Sequence, residues 1–110
     1  MNNLDVAKIF YRIAILMEIK DENRFKILSY QRAAEIFRSS SEDLTSLRPQ
    51  DLTEIPGIGQ ALADKIAELV ANGRLNFLEK LEREVPPSLI ELLKVPDLGP
   101  KRVSLFWKEL

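Results

Sequence analysis

The chain has 110 residues, 45% of them apolar and 30% charged, a composition typical of one folded domain or of one domain with a small appendage. Lys and Arg number 16 and Asp and Glu number 17, so the net charge of -1 excludes both a strongly basic nucleic-acid coat and an acidic tail. Cys and His are both 0, which excludes disulfides, thiolate metal sites, a cysteine nucleophile and an imidazole base.

The N-terminal segment does not have the pattern of a targeting signal. Asp5 and Lys8 interrupt it, and no apolar run followed by small residues is present. The longest apolar run, Ile13 to Met17, is far shorter than the roughly 20 residues that a membrane span needs. We therefore expect a cytoplasmic protein that has no membrane partner.

Two long helices are predicted at the start of the chain. Apolar residues that recur at steps of three and four indicate a first helix from about Asn3 to Lys20 and a second from about Phe25 to Arg38. The polar cluster 21–23 and the serines 39–41 are expected to end them. The side chains expected in the core are Leu4, Ala7, Phe10, Tyr11, Ile13, Ala14 and Met17 in the first helix, Phe25, Leu28, Ala33, Ile36 and Phe37 in the second, and Leu62, Ile66, Leu69 and Val70 in a later helix.

An internal repeat occupies the second half of the chain. The segments Leu52 to Val70 and Leu92 to Leu110 match when they are aligned residue by residue. They read Leu-x-x-Ile-Pro-Gly-Ile-Gly and Leu-x-x-Val-Pro-Asp-Leu-Gly. Each is followed by a helical stretch in which Ile66 corresponds to Phe106 and Val70 to Leu110, whereas Leu62 corresponds to Arg102. No alternating strand pattern of useful length occurs, so the fold is predicted to be all-α.

Each repeat predicts a tight turn between two helices. Proline fixes φ in the turn, and the glycines permit positive φ and leave backbone N–H groups uncovered. The next helix begins at once, so its unpaired N–H groups and its positive dipole end can hold a phosphate. Ile58 and Leu98 are expected to point inward and anchor the turns. Two helical hairpins without a ligand are the alternative, but the duplication favours binding to a nucleic-acid backbone.

The repeat is identified as a pair of helix-hairpin-helix motifs, and the chain resembles the N-terminal part of family X DNA polymerases, the group that includes DNA polymerase beta. The resemblance covers nearly the whole chain and is closest to the bacterial and archaeal branch. It implies a small helical bundle with two helix-hairpin-helix motifs. The segments that carry it are Lys26-x-x-x-Tyr30-x-Arg32-Ala33-Ala34, Ile55 to Gly59, Ala63-x-Lys65-Ile66, Asn72 to Leu75 and Val85-Pro86-Pro87 with the second hairpin.

The resemblance implies a domain division and a function. Residues 1–81 would form the lyase-like helical domain with the first hairpin, and residues 82–110 the second hairpin at the start of the next polymerase subdomain. Such a module would bind DNA without sequence preference at the 5′-phosphate side of gaps or nicks, in DNA repair and base excision repair. The metal-binding aspartates of the family lie in a later palm domain, which we expect in a longer parent chain, so this chain itself would not polymerise DNA.

The resemblance also assigns site residues. Lys65 aligns with the lysine that forms a Schiff base in members with 5′-deoxyribose-phosphate lyase activity, a reaction that requires no cofactor. The predicted DNA contacts are Lys26, Tyr30, Arg32, Gly57, Gly59, Lys65, Gly99, Lys101 and Arg102. A monovalent cation, Na⁺ or K⁺, would bind in each hairpin to the backbone carbonyls of Thr53, Ile55 and Ile58 and of Leu93, Val95 and Leu98.

The sequence departs from the family pattern at four positions. Gln31, Ala61 and Phe77 stand where DNA polymerase beta has basic residues, and Asp97 replaces a glycine of the second hairpin. Three functions therefore stay open: a DNA-binding module, a lyase that uses Lys65, and a helix-hairpin-helix module that binds other proteins.

Overall fold

A computed structural model describes residues 1–109, which form α-helices joined by short turns and contain no β-strand. This confirms the predicted all-α class. One short 3₁₀ helix, Leu44–Ser46, lies between the second and third helices. The α-helices in chain order are α1 (Asn3–Ile19), α2 (Arg24–Ser39), α3 (Pro49–Leu52), α4 (Gln60–Asn72), α5 (Asn76–Glu84), α6 (Pro87–Leu92) and α7 (Pro100–Glu109).

The helices α1 and α2 pack against each other as an antiparallel pair, and each begins at an asparagine cap. The Asn2 side chain accepts a hydrogen bond from the backbone N–H of Asp5, whose carboxylate accepts one in return from the N–H of Asn2. The Asn23 side chain accepts from the first turn of α2. Both helices begin and end within one residue of their predicted bounds.

The core is one cluster of apolar side chains built around α1, which contacts α2, α5 and α7. The covered stripe of α2 consists of Ile27, Tyr30, Ala34 and Phe37, together with Ala33. Leu28 and Ile36, which were predicted in the core, are only half-buried. The buried face of α2 is rotated about the helix axis by about one residue relative to the predicted face.

Three predicted core residues are exposed instead. Leu4 is 53% exposed on the first turn of α1, and Phe25 is 81% exposed on the first turn of α2. Apolar spacing alone predicted their burial, but both side chains lie on the solvent-facing side of their turns. Val70 is 44% exposed, because α4 buries the face that carries Leu62, Ile66 and Leu69.

The two hairpins, α3–α4 and α6–α7, share the backbone hydrogen bond that closes each turn. The N–H of Ile58 donates to the carbonyl of Ile55 over 3.0 Å, and the N–H of Leu98 donates to the carbonyl of Val95 over 3.1 Å. Ile58 is buried and Leu98 is half-buried against the core, as their predicted anchoring role requires. The sequence repeat is therefore a structural repeat.

The helix α7 lies against α1, with Val103 and Ser104 buried between them. An ion pair joins Lys108 to Asp21 in the α1–α2 turn. Buried side chains and an ion pair therefore both attach α7 to the rest of the molecule. The molecule measures 44 × 23 × 23 Å along its principal axes. Over residues 1–109, the helices are too short or too polar to cross a bilayer.

Candidate nucleic-acid interface

A groove of about 430 Å³ lies where the first hairpin meets α2 and α5. It brings together residues from distant parts of the sequence that the resemblance assigned to DNA binding. The predicted contact residues that line it are Lys26, Tyr30, Gly57, Gly59 and Lys65. Phe77 and Ala61, two of the departures from the family pattern, line it as well.

The two glycines of the first hairpin have different backbone conformations. Gly57 has φ of +98°, a conformation that strains any residue with a side chain, and a Cβ there would lie 3.1 Å from the Cδ1 of Ile36, which would have to shift by a few tenths of an ångström. Gly59 has φ of -86°, which any residue adopts, and a Cβ there would meet no described heavy atom within 4 Å. Gly59 and Gly99 are not in the left-handed region that the sequence suggested for the glycines.

The open backbone at Gly59 continues into the start of α4. Gly59 is the N-cap residue, and its carbonyl accepts a hydrogen bond from the N–H of Ala63 over 2.9 Å. The N–H groups of the turn before Ala63 have no partner within the helix, as at every helix start. They lie at the positive end of the helix dipole, which favours an anion at this end of the groove.

Aromatic rings form one wall of the groove. Tyr30 stacks on Phe77 with ring centroids 5.8 Å apart and meets Phe10 edge-on at 5.6 Å. Burial raises the pKa of the Tyr30 hydroxyl to about 12, so it stays protonated at neutral pH. The Lys65 ammonium lies 5.1 Å from the centre of the Phe77 ring, which is the geometry of a cation–π contact.

Lys26 enters the groove from the first turn of α2, which is well fixed. The Asn23 Oδ1 atom accepts hydrogen bonds from the N–H of Phe25 over 2.9 Å and from the N–H of Lys26 over 3.3 Å. The Ser29 hydroxyl, also at the groove, donates to the carbonyl of Phe25 over 2.9 Å. The groove therefore has two lysines, one from α2 and one from α4.

Arg32 does not join this set. It lines a separate depression with Tyr11, Gln31 and Glu35 on the outer face of α1 and α2. A phosphate in the groove would therefore meet Lys26 and Lys65 but not Arg32.

The remaining predicted contacts lie at the second hairpin. The Arg102 guanidinium donates to the carbonyl of Asp97 over 3.3 Å, and Lys101 lines a depression between α7 and the start of α2. Asp97 has φ of +67°, so it takes the left-handed conformation of its counterpart Gly57. Gly99 precedes α7, and its carbonyl accepts from the N–H groups of Arg102 and Val103.

The carbonyls predicted to hold a cation lie in the two matching turns. The carbonyl oxygens of Ile55 and Val95 each accept one backbone hydrogen bond and keep a second lone pair. Neutral carbonyl oxygens are hard ligands that suit Na⁺ or K⁺, so the donor chemistry of these turns fits the predicted ion.

Sequence reasoning missed two functional features. It did not foresee that Phe77 contacts both Lys65 and Tyr30, because that contact depends on how α5 packs beside α4. It also missed the rigid first turn of α2, although an asparagine directly before a helix is a recognisable cap.

Comparison with known proteins identifies relatives of the chain. A family model described as a helix-hairpin-helix domain matches residues 1–75. The chain is 34% identical over 110 residues to the DNA polymerase/3'-5' exonuclease PolX of Bacillus subtilis (strain 168), covering 100% of the chain and 19% of that protein. It is 29% identical over 99 residues to DNA polymerase lambda of Arabidopsis thaliana, covering 89% of the chain and 18% of that protein. The chain thus spans about a fifth of the length of these curated relatives.

Proposed function

The chain belongs to the helix-hairpin-helix domain family and resembles the N-terminal region of family X DNA polymerases, and from that premise we propose that it binds DNA. The bound DNA is gapped or nicked, and the groove at the first hairpin takes its 5′ phosphate. The module would act in DNA repair beside a polymerase palm domain of the same parent chain.

The observation that carries this proposal is the groove itself. It combines the uncovered backbone at Gly59, the positive end of α4 and the two lysines Lys26 and Lys65 in one concave site. A terminal phosphate has more negative charge than an internal one and can enter a concave site end-on. These features therefore support recognition of a 5′ end at the groove.

The second hairpin extends the proposed interface. Its turn is closed by the same backbone hydrogen bond as the first, and Lys101 and Arg102 lie on the first turns of α7. In each hairpin we propose a Na⁺ or K⁺ ion on the backbone carbonyls, which would place a positive charge beside the DNA backbone. The carboxylate of Asp97 makes the second turn the weaker anion site.

Lyase activity is the second candidate, and the position of Lys65 inside the groove favours it. A Schiff base starts from the amine of a lysine, and the Lys65 Nζ atom lies in the groove, 5.1 Å from the centre of the Phe77 ring. We propose that Lys65 contacts the phosphate there, whereas a lyase would use the same amine as a nucleophile. Borohydride trapping on DNA with an incised abasic site separates the two roles, because only a Schiff base yields a covalent product.

The main experiment compares three DNA substrates by fluorescence anisotropy. A gapped DNA with a 5′ phosphate should bind more tightly than the same gap with a 5′ hydroxyl, and intact duplex should bind least. Lys26→Ala should remove most of the preference for the phosphate. The matched control Lys8→Ala removes an exposed lysine of α1 that lies outside the groove and should leave the preference intact.

Equal affinity for the two gapped substrates would contradict a 5′-phosphate site in the groove. Absence of DNA binding by the folded protein would contradict the proposed function as a whole. It would leave the family's other use, assembly with proteins, as the function to pursue.

A further inference from the structure

Two carboxylates flank Lys65 on α4, but other partners hold both of them. The Oδ1 atom of Asp64 accepts a hydrogen bond from the side-chain amide of Gln60 over 2.7 Å. The Oε2 atom of Glu68 accepts one from the backbone N–H of Asn76 over 2.8 Å. Among residues 1–109, Lys65 itself forms no ion pair. Its ammonium group therefore remains available for an anion in the groove.

Glu68 connects α4 to the start of α5. Asn76 is the first residue of α5, and Leu75 before it provides no side-chain cap, so the Glu68 carboxylate accepts from an N–H group that the helix itself cannot pair. A second contact lies across the same turn, where the Arg74 Nε atom donates to Glu79 Oε2 over 2.8 Å. Glu68 and the Arg74–Glu79 pair therefore fix the first turn of α5.

This fixed turn carries Phe77, whose half-buried ring lines the groove. The ring stacks on Tyr30 with centroids 5.8 Å apart, and the Lys65 Nζ atom lies 5.1 Å from its centre. The other groove lysine, Lys26, is exposed, whereas Lys65 is half-buried. Lys65 is thus the groove lysine whose ammonium group an aromatic ring restrains.

We infer that Phe77 is a positioning residue of the phosphate site and that Glu68 supports it. A lysine side chain loses rotamer entropy when it binds a phosphate, and a ring that already restrains the ammonium group reduces that loss. Phe77 has no charge of its own, so it acts on the phosphate through Lys65. Glu68 acts one step further away, by fixing the turn that carries the ring. The inference rests on the proposed function and adds to it the residues that set the strength of the 5′-phosphate preference.

The first test compares Phe77→Leu and Phe77→Tyr with the parent protein on a gapped DNA with a 5′ phosphate and on the same gap with a 5′ hydroxyl. Phe77→Leu should reduce the preference for the phosphate by about three- to tenfold, because leucine has no π face to hold the ammonium group. Phe77→Tyr keeps an aromatic face and should retain the preference. NMR spectra of protein with isotope-labelled lysine give an independent signature. The ring current should shift the ε protons of Lys65 upfield in the parent and in Phe77→Tyr, but not in Phe77→Leu.

Glu68 provides a second test, in which charge and positioning predict opposite signs. If charge alone mattered, removal of a carboxylate one helical turn from Lys65 would strengthen binding of the phosphate. We expect Glu68→Ala to weaken the preference instead, because the N–H of Asn76 loses its acceptor. Glu68→Gln keeps an oxygen that can accept from this N–H and should retain the preference. Asp64→Ala is the matched control, since it removes the other carboxylate, whose hydrogen bond lies within α4, and it should not lower the preference.

Circular dichroism at the titration temperature checks that each variant is folded. A folded Phe77→Leu variant that keeps the preference of the parent would overturn the positioning role of the ring. If Phe77→Leu does not fold, the Glu68 variants decide, and a Glu68→Ala variant whose preference equals or exceeds that of the parent would overturn the inference. In both cases the proposed function survives as long as the parent prefers the 5′-phosphorylated gap. A parent without that preference overturns both the 5′-phosphate site and this inference.

Discussion

At the residue scale, substitutions at Gly57 and Gly59 test stability and DNA binding separately, although the two glycines lie in one turn. Gly57→Ala should lower the free energy of unfolding by about 1–2 kcal/mol, because alanine is strained in the left-handed region. Gly59→Ser should leave it unchanged or slightly raised, since serine is a good N-cap and the site has room. Its hydroxyl would occupy the N–H groups that a phosphate needs, so DNA affinity should fall. Urea unfolding and anisotropy titration check the pair, and a Gly59→Ser variant that binds like the parent would exclude this backbone from the interface.

Asp97 provides the corresponding test in the second hairpin. Asp97→Gly should raise the free energy of unfolding by about 1 kcal/mol, because it relieves a left-handed non-glycine residue. It should also strengthen DNA binding, because a carboxylate beside the proposed phosphate path is removed. Asp97→Asn removes the charge and keeps a side chain that tolerates this conformation, so it should strengthen binding without the gain in stability. If neither variant changes DNA affinity, the second hairpin does not contact the DNA.

The raised pKa of Tyr30 predicts a loss of stability at high pH. Burial raises its pKa from 10.0 to about 12, so the folded state favours the protonated hydroxyl more than the unfolded state does. The resulting contribution to the free energy of unfolding is fully present below about pH 10 and disappears as the pH rises toward about 12. Urea unfolding between pH 9 and 12 should show a shallower decline for Tyr30→Phe than for the parent. The remaining decline would reflect Tyr11, whose pKa is raised because its hydroxyl donates to Glu35, and Lys20, whose pKa is raised by its hydrogen bond to Glu84.

At the element scale, the two asparagine caps are a matched pair. Asn2→Ala and Asn23→Ala each remove the side chain that accepts from the first turn of a long helix, so each should lower the free energy of unfolding by about 1 kcal/mol. Only Asn23 fixes the turn that carries Phe25 and Lys26. Asn23→Ala should therefore weaken DNA binding under conditions in which both variants are folded. Equal binding by the two variants would show that the order of this turn is not needed.

The sequence predicts the helices well and the surface less well. The bounds of α1 and α2 follow from apolar spacing and from the polar clusters that end the helices, and the hairpins follow from the repeat, because both are local signals. The exposure of Phe25 and Val70 depends on which neighbouring elements reach these helix ends, and spacing along one helix carries no such information. The aromatic wall of the groove could not be predicted for the same reason, because Phe77 reaches Lys65 only through the packing of α5.

At the scale of the whole molecule, the net charge of -1 means that any attraction to DNA is local. If about four phosphates are neutralised, the logarithm of the binding constant should fall with the logarithm of salt concentration with a slope between about -3 and -4. Titrations at several KCl concentrations measure the slope, and Lys26→Ala should make it shallower by about 1. A slope near zero would show that phosphates are not the main contact.

The elongated shape limits how much DNA one copy can cover. A long axis of 44 Å corresponds to about 13 base pairs of B-form DNA at 3.4 Å each, little more than one helical turn. In a gap much wider than this axis, the 3′ end would lie beyond the reach of a copy seated on the 5′ end. If the groove holds the 5′ end as proposed, the dimensions of this module would favour short gaps over long ones.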